Sequence, residues 1–130
     1  GSNYATAIGG GASAGGYGSS AYGYGSSAGY ESSAYGYNAK APGIGATAIG
    51  DNTSVTGDSG VAVGDNSKAS VANSLAIGAS ANVSNDNSVA IGHSSSTSAA
   101  NTGTTETGIT IGTKPIRLQD LPLLRMVRSV

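Results

Sequence analysis

Small and β-branched residues alternate through short runs of this chain, and a glycine closes each run. Asn87-Ser88-Val89-Ala90-Ile91-Gly92 is the clearest case, and Asn73-Ser74-Leu75-Ala76-Ile77-Gly78 repeats it. Alternation of period two describes a strand with two unlike faces. The same run recurs as Gly60-Val61-Ala62-Val63-Gly64, Ala46-Thr47-Ala48-Ile49-Gly50, Ser32-Ser33-Ala34-Tyr35-Gly36, Ser19-Ser20-Ala21-Tyr22-Gly23 and Ala5-Thr6-Ala7-Ile8-Gly9. The central alanines fall at positions 7, 21, 34, 48, 62, 76 and 90, in steps of 14, 13, 14, 14, 14 and 14. A period this short and regular belongs to a solenoid, in which each coil contacts only its neighbours.

The residues between the runs also match from coil to coil, as in Gly50-Asp51-Asn52-Thr53-Ser54-Val55 and Gly64-Asp65-Asn66-Ser67-Lys68-Ala69. They predict a second short strand in each coil. Gly, Asn, Asp and Ser supply the turns, where positive φ is often required. Two strands of about five residues and two tight turns would fill a coil, and seven coils stacked at about 4.8 Å would stand about 34 Å tall. The 13-residue step falls among the tyrosines and predicts one turn shorter by a residue.

Side-chain size assigns the faces. The central column is alanine in all seven coils and is placed in a narrow lumen. The very next column holds Ile8, Tyr22, Tyr35, Ile49, Val63, Ile77 and Ile91; an alanine-lined lumen has no room for tyrosine, so this column points outward. Val61, Val63, Leu75, Ile77, Val89 and Ile91 would then form an exposed apolar stripe, the signature of an interface. Fully burying each such side chain stabilises by about 1.5–3 kcal/mol, more than a lumen of alanines provides. The roll is therefore expected to assemble through this stripe.

After Ile91 the register slips. Gly108-Ile109-Thr110-Ile111-Gly112 reads as one further coil strand, delayed by six residues. The expected division is a β-roll over 1–112 and a cap or connector over 113–130. In the connector Ile116 and Leu118 alternate like a strand, and Leu121, Leu124 and Val127 have helical spacing.

Composition narrows the picture further. The 130 residues include 22 glycines and no Cys, Trp or Phe; 10% are charged, and the net charge is −1. The low charge and fixed register argue against disorder despite the glycine content. Nothing in this composition points to nucleic acid. No apolar run approaches the roughly 20 residues that span a bilayer, so no membrane contact by this segment is expected. No signal-peptide pattern opens the chain, and Gly1-Ser2 reads as a cloning remnant at the head of a piece cut from something longer.

A 14-residue repeat centred on Asn-Ser-Val-Ala-Ile-Gly, with a small residue three positions later, resembles the YadA-like head repeat of trimeric autotransporter adhesins. Asn87–Gly92 with Ser95 and Asn73–Gly78 with Ala81 carry the resemblance, which extends over residues 5–97. Tyr22 and Tyr35 depart from the aliphatic pattern, the leading Asn is missing from the first half, and Pro115–Val130 matches the family's neck poorly. The resemblance implies an all-β fold: a left-handed parallel β-roll of about seven to eight coils. It also implies a homotrimer at the exposed tip of an outer-membrane-anchored stalk on a bacterial surface, binding host matrix or cells or associating with itself. A phage tail-fibre tip and an ice-binding solenoid are the alternatives; the uneven column Thr6, Ser20, Ser33, Thr47, Val61, Leu75, Val89 speaks against a flat ice-matching row.

Chemistry is sparse. His93, the only histidine, sits at a turn position, and a metal site needs several convergent ligands. Gly23-Tyr24-Gly25-Ser26-Ser27-Ala28 mimics a dinucleotide fingerprint without the helix that motif requires. Asp51 and Asp65 occupy one position of adjacent coils, but a pair cannot supply the six to eight oxygens that calcium takes. Asn52-Thr53-Ser54 and Asn82-Val83-Ser84 are glycosylation sequons of little meaning in a bacterial protein. No catalytic residue, metal or cofactor is expected. The candidate ligand contacts are Tyr17, Tyr24, Tyr30 and Tyr37, because exposed tyrosine offers contact area with a polar tip.

Overall fold

In the computed structural model the described residues are 4–98, 109–111 and 114–115, the last two groups as backbone only. Each of the first six coils contributes one three-residue strand to a front sheet and one two-residue strand to a back sheet, and the seventh adds its front strand and a single parallel bridge from Ser96 to Asn82. The front sheet stacks Thr6–Ile8, Ser20–Tyr22, Ser33–Tyr35, Thr47–Ile49, Val61–Val63, Leu75–Ile77 and Val89–Ile91 in parallel. The back sheet stacks Ser13–Ala14, Ser27–Ala28, Lys40–Ala41, Ser54–Val55, Lys68–Ala69 and Asn82–Val83. Pairing keeps the repeat register: Ala7 opposes Ala21, then Ala34, Ala48, Ala62, Ala76 and Ala90 in turn. The strands are shorter than the expected five residues because the turns begin early.

The early turn traces to one glycine per coil. Gly9, Gly23, Gly36, Gly50, Gly64, Gly78 and Gly92 have φ between 121° and 136°, a region other residues avoid. A Cβ on Gly64 would also lie 2.7 Å from the backbone carbonyl of Gly78 in the next coil. Two residues further on the chain is left-handed, with Gly11, Gly25, Asn38, Asn52, Asn66, Ser80 and Ser94 at φ between 52° and 71°. The second turn has its own left-handed position, filled by Gly18, Glu31, Gly45, Ser59, Asn73 and Asn87. The leading Asn of the repeat is thus the residue that tolerates αL best after glycine. The short coil loses its residue here, between Ala28 and Ser33.

Ladder hydrogen bonds continue through both turns. The Asn38 amide donates to the Tyr24 carbonyl at 2.8 Å, and the Glu31 amide donates to the Tyr17 carbonyl at 2.8 Å. Turn residues are therefore held in register as firmly as strand residues.

The lumen is filled by small side chains. Ala21, Ala34, Ala48, Ala62, Ala76 and Ala90 are fully buried, facing Ala28, Ala41, Val55, Ala69 and Val83 of the back sheet. Buried hydroxyls complete it, and each is satisfied by a nearby carbonyl: Ser26 Oγ donates to Gly23 O at 2.9 Å, Ser32 Oγ to Ala41 O at 2.7 Å and Ser67 Oγ to Gly64 O at 2.9 Å. Serine thus closes the turns from inside without leaving a desolvated polar atom.

Ile109–Ile111 rejoins the front sheet, parallel to Val89–Ile91, with Ala90 opposite Thr110. Lys114–Pro115 folds back antiparallel on it. The strand and helix expected around Ile116, Leu118, Leu121, Leu124 and Val127 lie outside the described residues.

Candidate functional site: tyrosine ladders and an apolar face

Two surface features stand out on this roll. The first is the outer side of the front sheet. Because alternate residues point opposite ways, burying the alanine column turns its neighbours outward. Ile77 and Ile91 are 37% and 40% exposed, and Val61, Val63, Leu75 and Val89 are half-buried. The six residues expected to form an apolar stripe lie together on the outer face of adjacent, in-register strands.

The second feature is aromatic. Tyrosines at equivalent positions of adjacent coils stack. Tyr22 and Tyr35, on the front face, have ring centroids 4.9 Å apart and planes 5° from parallel. Tyr24 and Tyr37 stack at 5.5 Å and 12° in the first turns, after the front strands. Tyr17 and Tyr30 stack at 6.0 Å and 26° in the second turns, and Tyr4 meets Tyr17 edge-on at 5.5 Å. Offset and edge-on aromatic pairs each add about 0.5–1.5 kcal/mol beyond their buried area. The four candidate tyrosines therefore form two ladders, not one cluster. Tyr24 and Tyr37 line one edge of the front sheet; Tyr17 and Tyr30 line the other. All four remain widely exposed, from 44% for Tyr17 to 62% for Tyr24. The stacking of Tyr22 on Tyr35 was readable from their shared repeat position, whereas Tyr4 sits in the left-handed turn position, outside the column it caps.

The aspartates have local partners. Asp51 Oδ1 accepts from the Tyr37 amide at 3.4 Å, and Asp65 Oδ2 accepts from Asn66 Nδ2 at 2.9 Å. A third, Asp58, accepts from the Ile44 amide at 2.9 Å. His93 is exposed, its Nδ1 3.3 Å from Ser94 Oγ. Among the described residues no three His, Cys, Asp or Glu side chains converge.

The profile of the YadA head domain repeat matches residues 2–26, 27–53, 56–81 and 84–102, most of the chain. The first three matches each span about two of the coils described above.

This chain belongs to the YadA head family.

A solved structure similar to this YadA head is the collagen-binding domain of the Yersinia adhesin YadA. Identity is 29%, the TM-score is 0.60, and the match covers 84% of this chain and 71% of the other. No curated protein sequence matches the chain. Family and fold are those of an adhesin binding domain, an all-β parallel solenoid built from repeats.

Proposed function

We propose that this YadA head is the non-enzymatic tip of a homotrimeric adhesin on a bacterial surface, carried on an outer-membrane-anchored stalk. Its partner is a host matrix or cell-surface ligand. The observation that carries the reading is the similarity, over most of both chains, to a collagen-binding adhesin domain. The apolar front face supports assembly: a row of exposed aliphatic side chains on a roll with a lumen of alanines is covered when copies meet. Closed cyclic symmetry covers it without growth into filaments. The trimeric character of the family favours three copies over two.

Ligand contact is assigned to the tyrosine ladders of the first three coils. The test is saturable binding of the purified protein to immobilised collagen, other matrix proteins and whole host cells. Binding to at least one of them is expected. Binding to none, at concentrations where the protein is folded, would overturn the reading.

A further inference from the structure

The tyrosine stacks have a reactivity as well as a shape. The chain has no Cys, no Trp and a single Met, while all seven tyrosines lie at or before position 37. Phenol is therefore the group from which a one-electron oxidant draws an electron in this region, with no thiol or indole to compete. A phenoxyl radical carries its unpaired electron on the oxygen and on the ring carbons ortho and para to it. In tyrosine the para carbon bears Cβ, so two radicals join through ortho carbons, and efficient joining needs rings that already stand side by side.

The fold supplies that arrangement within one chain. Tyr24 and Tyr37 stack at 5.5 Å and 12°, Tyr17 and Tyr30 at 6.0 Å and 26°. These four rings are widely exposed, so they have room to tilt until two ring edges meet. Tyr22 and Tyr35 are closer, at 4.9 Å, but they lie on the front face that the proposed assembly covers.

The coils that carry these rings are also the ones with the weakest packing. Ten of the 22 glycines lie between positions 9 and 36, and glycine loses the most chain freedom on folding. Their back strands turn Ala14, Ala28 and Ala41 to the lumen, where later coils hold Val55 and Val83. A chain without cysteine has no disulfide to tie such coils together.

We infer that Tyr17–Tyr30 and Tyr24–Tyr37 are dityrosine cross-linking sites, closed by hydrogen peroxide through a haem peroxidase acting as a one-electron oxidant. Each phenol gives up one electron and its hydroxyl proton, and the two ortho carbons form a bond. The hydrogens on those carbons then pass to the phenol oxygens and restore both rings. In sum, two tyrosines and one hydrogen peroxide give one dityrosine and two waters. Tyr17–Tyr30 ties the first coil to the second, and Tyr24–Tyr37 ties the second to the third. Each closes a step of 13 residues, and the two loops overlap, so three coils become one covalent unit. A cross-link of this kind stabilises chiefly by restricting the unfolded chain.

The test treats the purified protein with hydrogen peroxide and a haem peroxidase, then cleaves it after Glu31 and Lys40. Peptide 1–31 should emerge joined to peptide 32–40 through Tyr24 and Tyr37, and peptide 1–31 should also lose two hydrogens to the Tyr17–Tyr30 link. Tyr37→Phe should abolish the first product and Tyr30→Phe the second, each leaving the other. Phenylalanine keeps the stack and lacks the hydroxyl hydrogen that the oxidant removes, so both variants should fold. On a denaturing gel the product should run as a single chain. Oxidation should raise the melting temperature of the unmodified sequence by about 5 °C or more, and leave that of the Tyr30→Phe/Tyr37→Phe double variant unchanged.

Links that form equally well in urea-unfolded protein would overturn the role of the stacks. Links between chains in place of links within one, or a link at Tyr22 and Tyr35 alone, would overturn the sites. Tyrosines left intact by a peroxide dose that couples free N-acetyltyrosine would overturn the reactivity, and an unchanged melting temperature after linking would overturn the stapling. None of these readouts involves a ligand, so they stand apart from the binding assay above.

Discussion

Residue by residue, the repeat is a record of backbone conformations as much as of side chains. The glycine after each aliphatic position combines φ near 129° with close approach of the next coil. Gly64→Ala should therefore cost about 3 kcal/mol, from backbone strain and the contact with Gly78. A thermal or urea melt checks this; an unchanged midpoint would contradict the account of the turn. Glu31 presents the opposite case, a left-handed position held by a residue poorly suited to it, at φ 52°. Glu31→Asn should stabilise by about 0.5–1 kcal/mol in the same assay. The inward alanines were legible because no other residue occupies their column. The buried serines were harder to place, since hydroxyls in a tight turn look like solvent-facing turn residues until their carbonyl partners are seen.

At the scale of the coil, the element is fourteen residues closed by two turns, and its neighbours supply most of its backbone hydrogen bonds. Stability should then be a sum over coils and their interfaces. Deleting residues 62–75 joins Val61 to Ala76 and restores a complete coil. The shortened protein should keep its β circular dichroism, with a modest drop in melting temperature. Deleting residues 62–68 instead sets Ala69 of a back strand where Ala62 of a front strand belongs, and should abolish cooperative melting. Retained cooperativity in the second deletion would contradict the register. The period and both strand positions were legible from the alanine and glycine columns. Strand length was not, because turn hydrogen bonds between coils leave no trace in residue type. The division of the tyrosines between two edges was hidden for a related reason: it depends on which turn each occupies, and both turns are rich in Gly and Ser.

For the whole molecule, the outward stripe matters most. Its direction followed from the exclusion of Tyr22 and Tyr35 from an alanine lumen, and the exposed positions of Ile77 and Ile91 agree. What covers the stripe could not be read from alternation alone, since two or three copies satisfy the same pattern. Ile77→Asp would gather three carboxylates about one axis. Desolvation and mutual repulsion should cost several kcal/mol per assembly and dissociate it. A folded Ile77→Asp variant with undiminished mass would show that the interface between copies lies elsewhere. The most direct measurement is the mass of the unmodified protein in solution by multi-angle light scattering at micromolar concentration. A trimer joined through its front faces predicts three times the 12.4 kDa chain mass; a folded species of 12.4 kDa would contradict it.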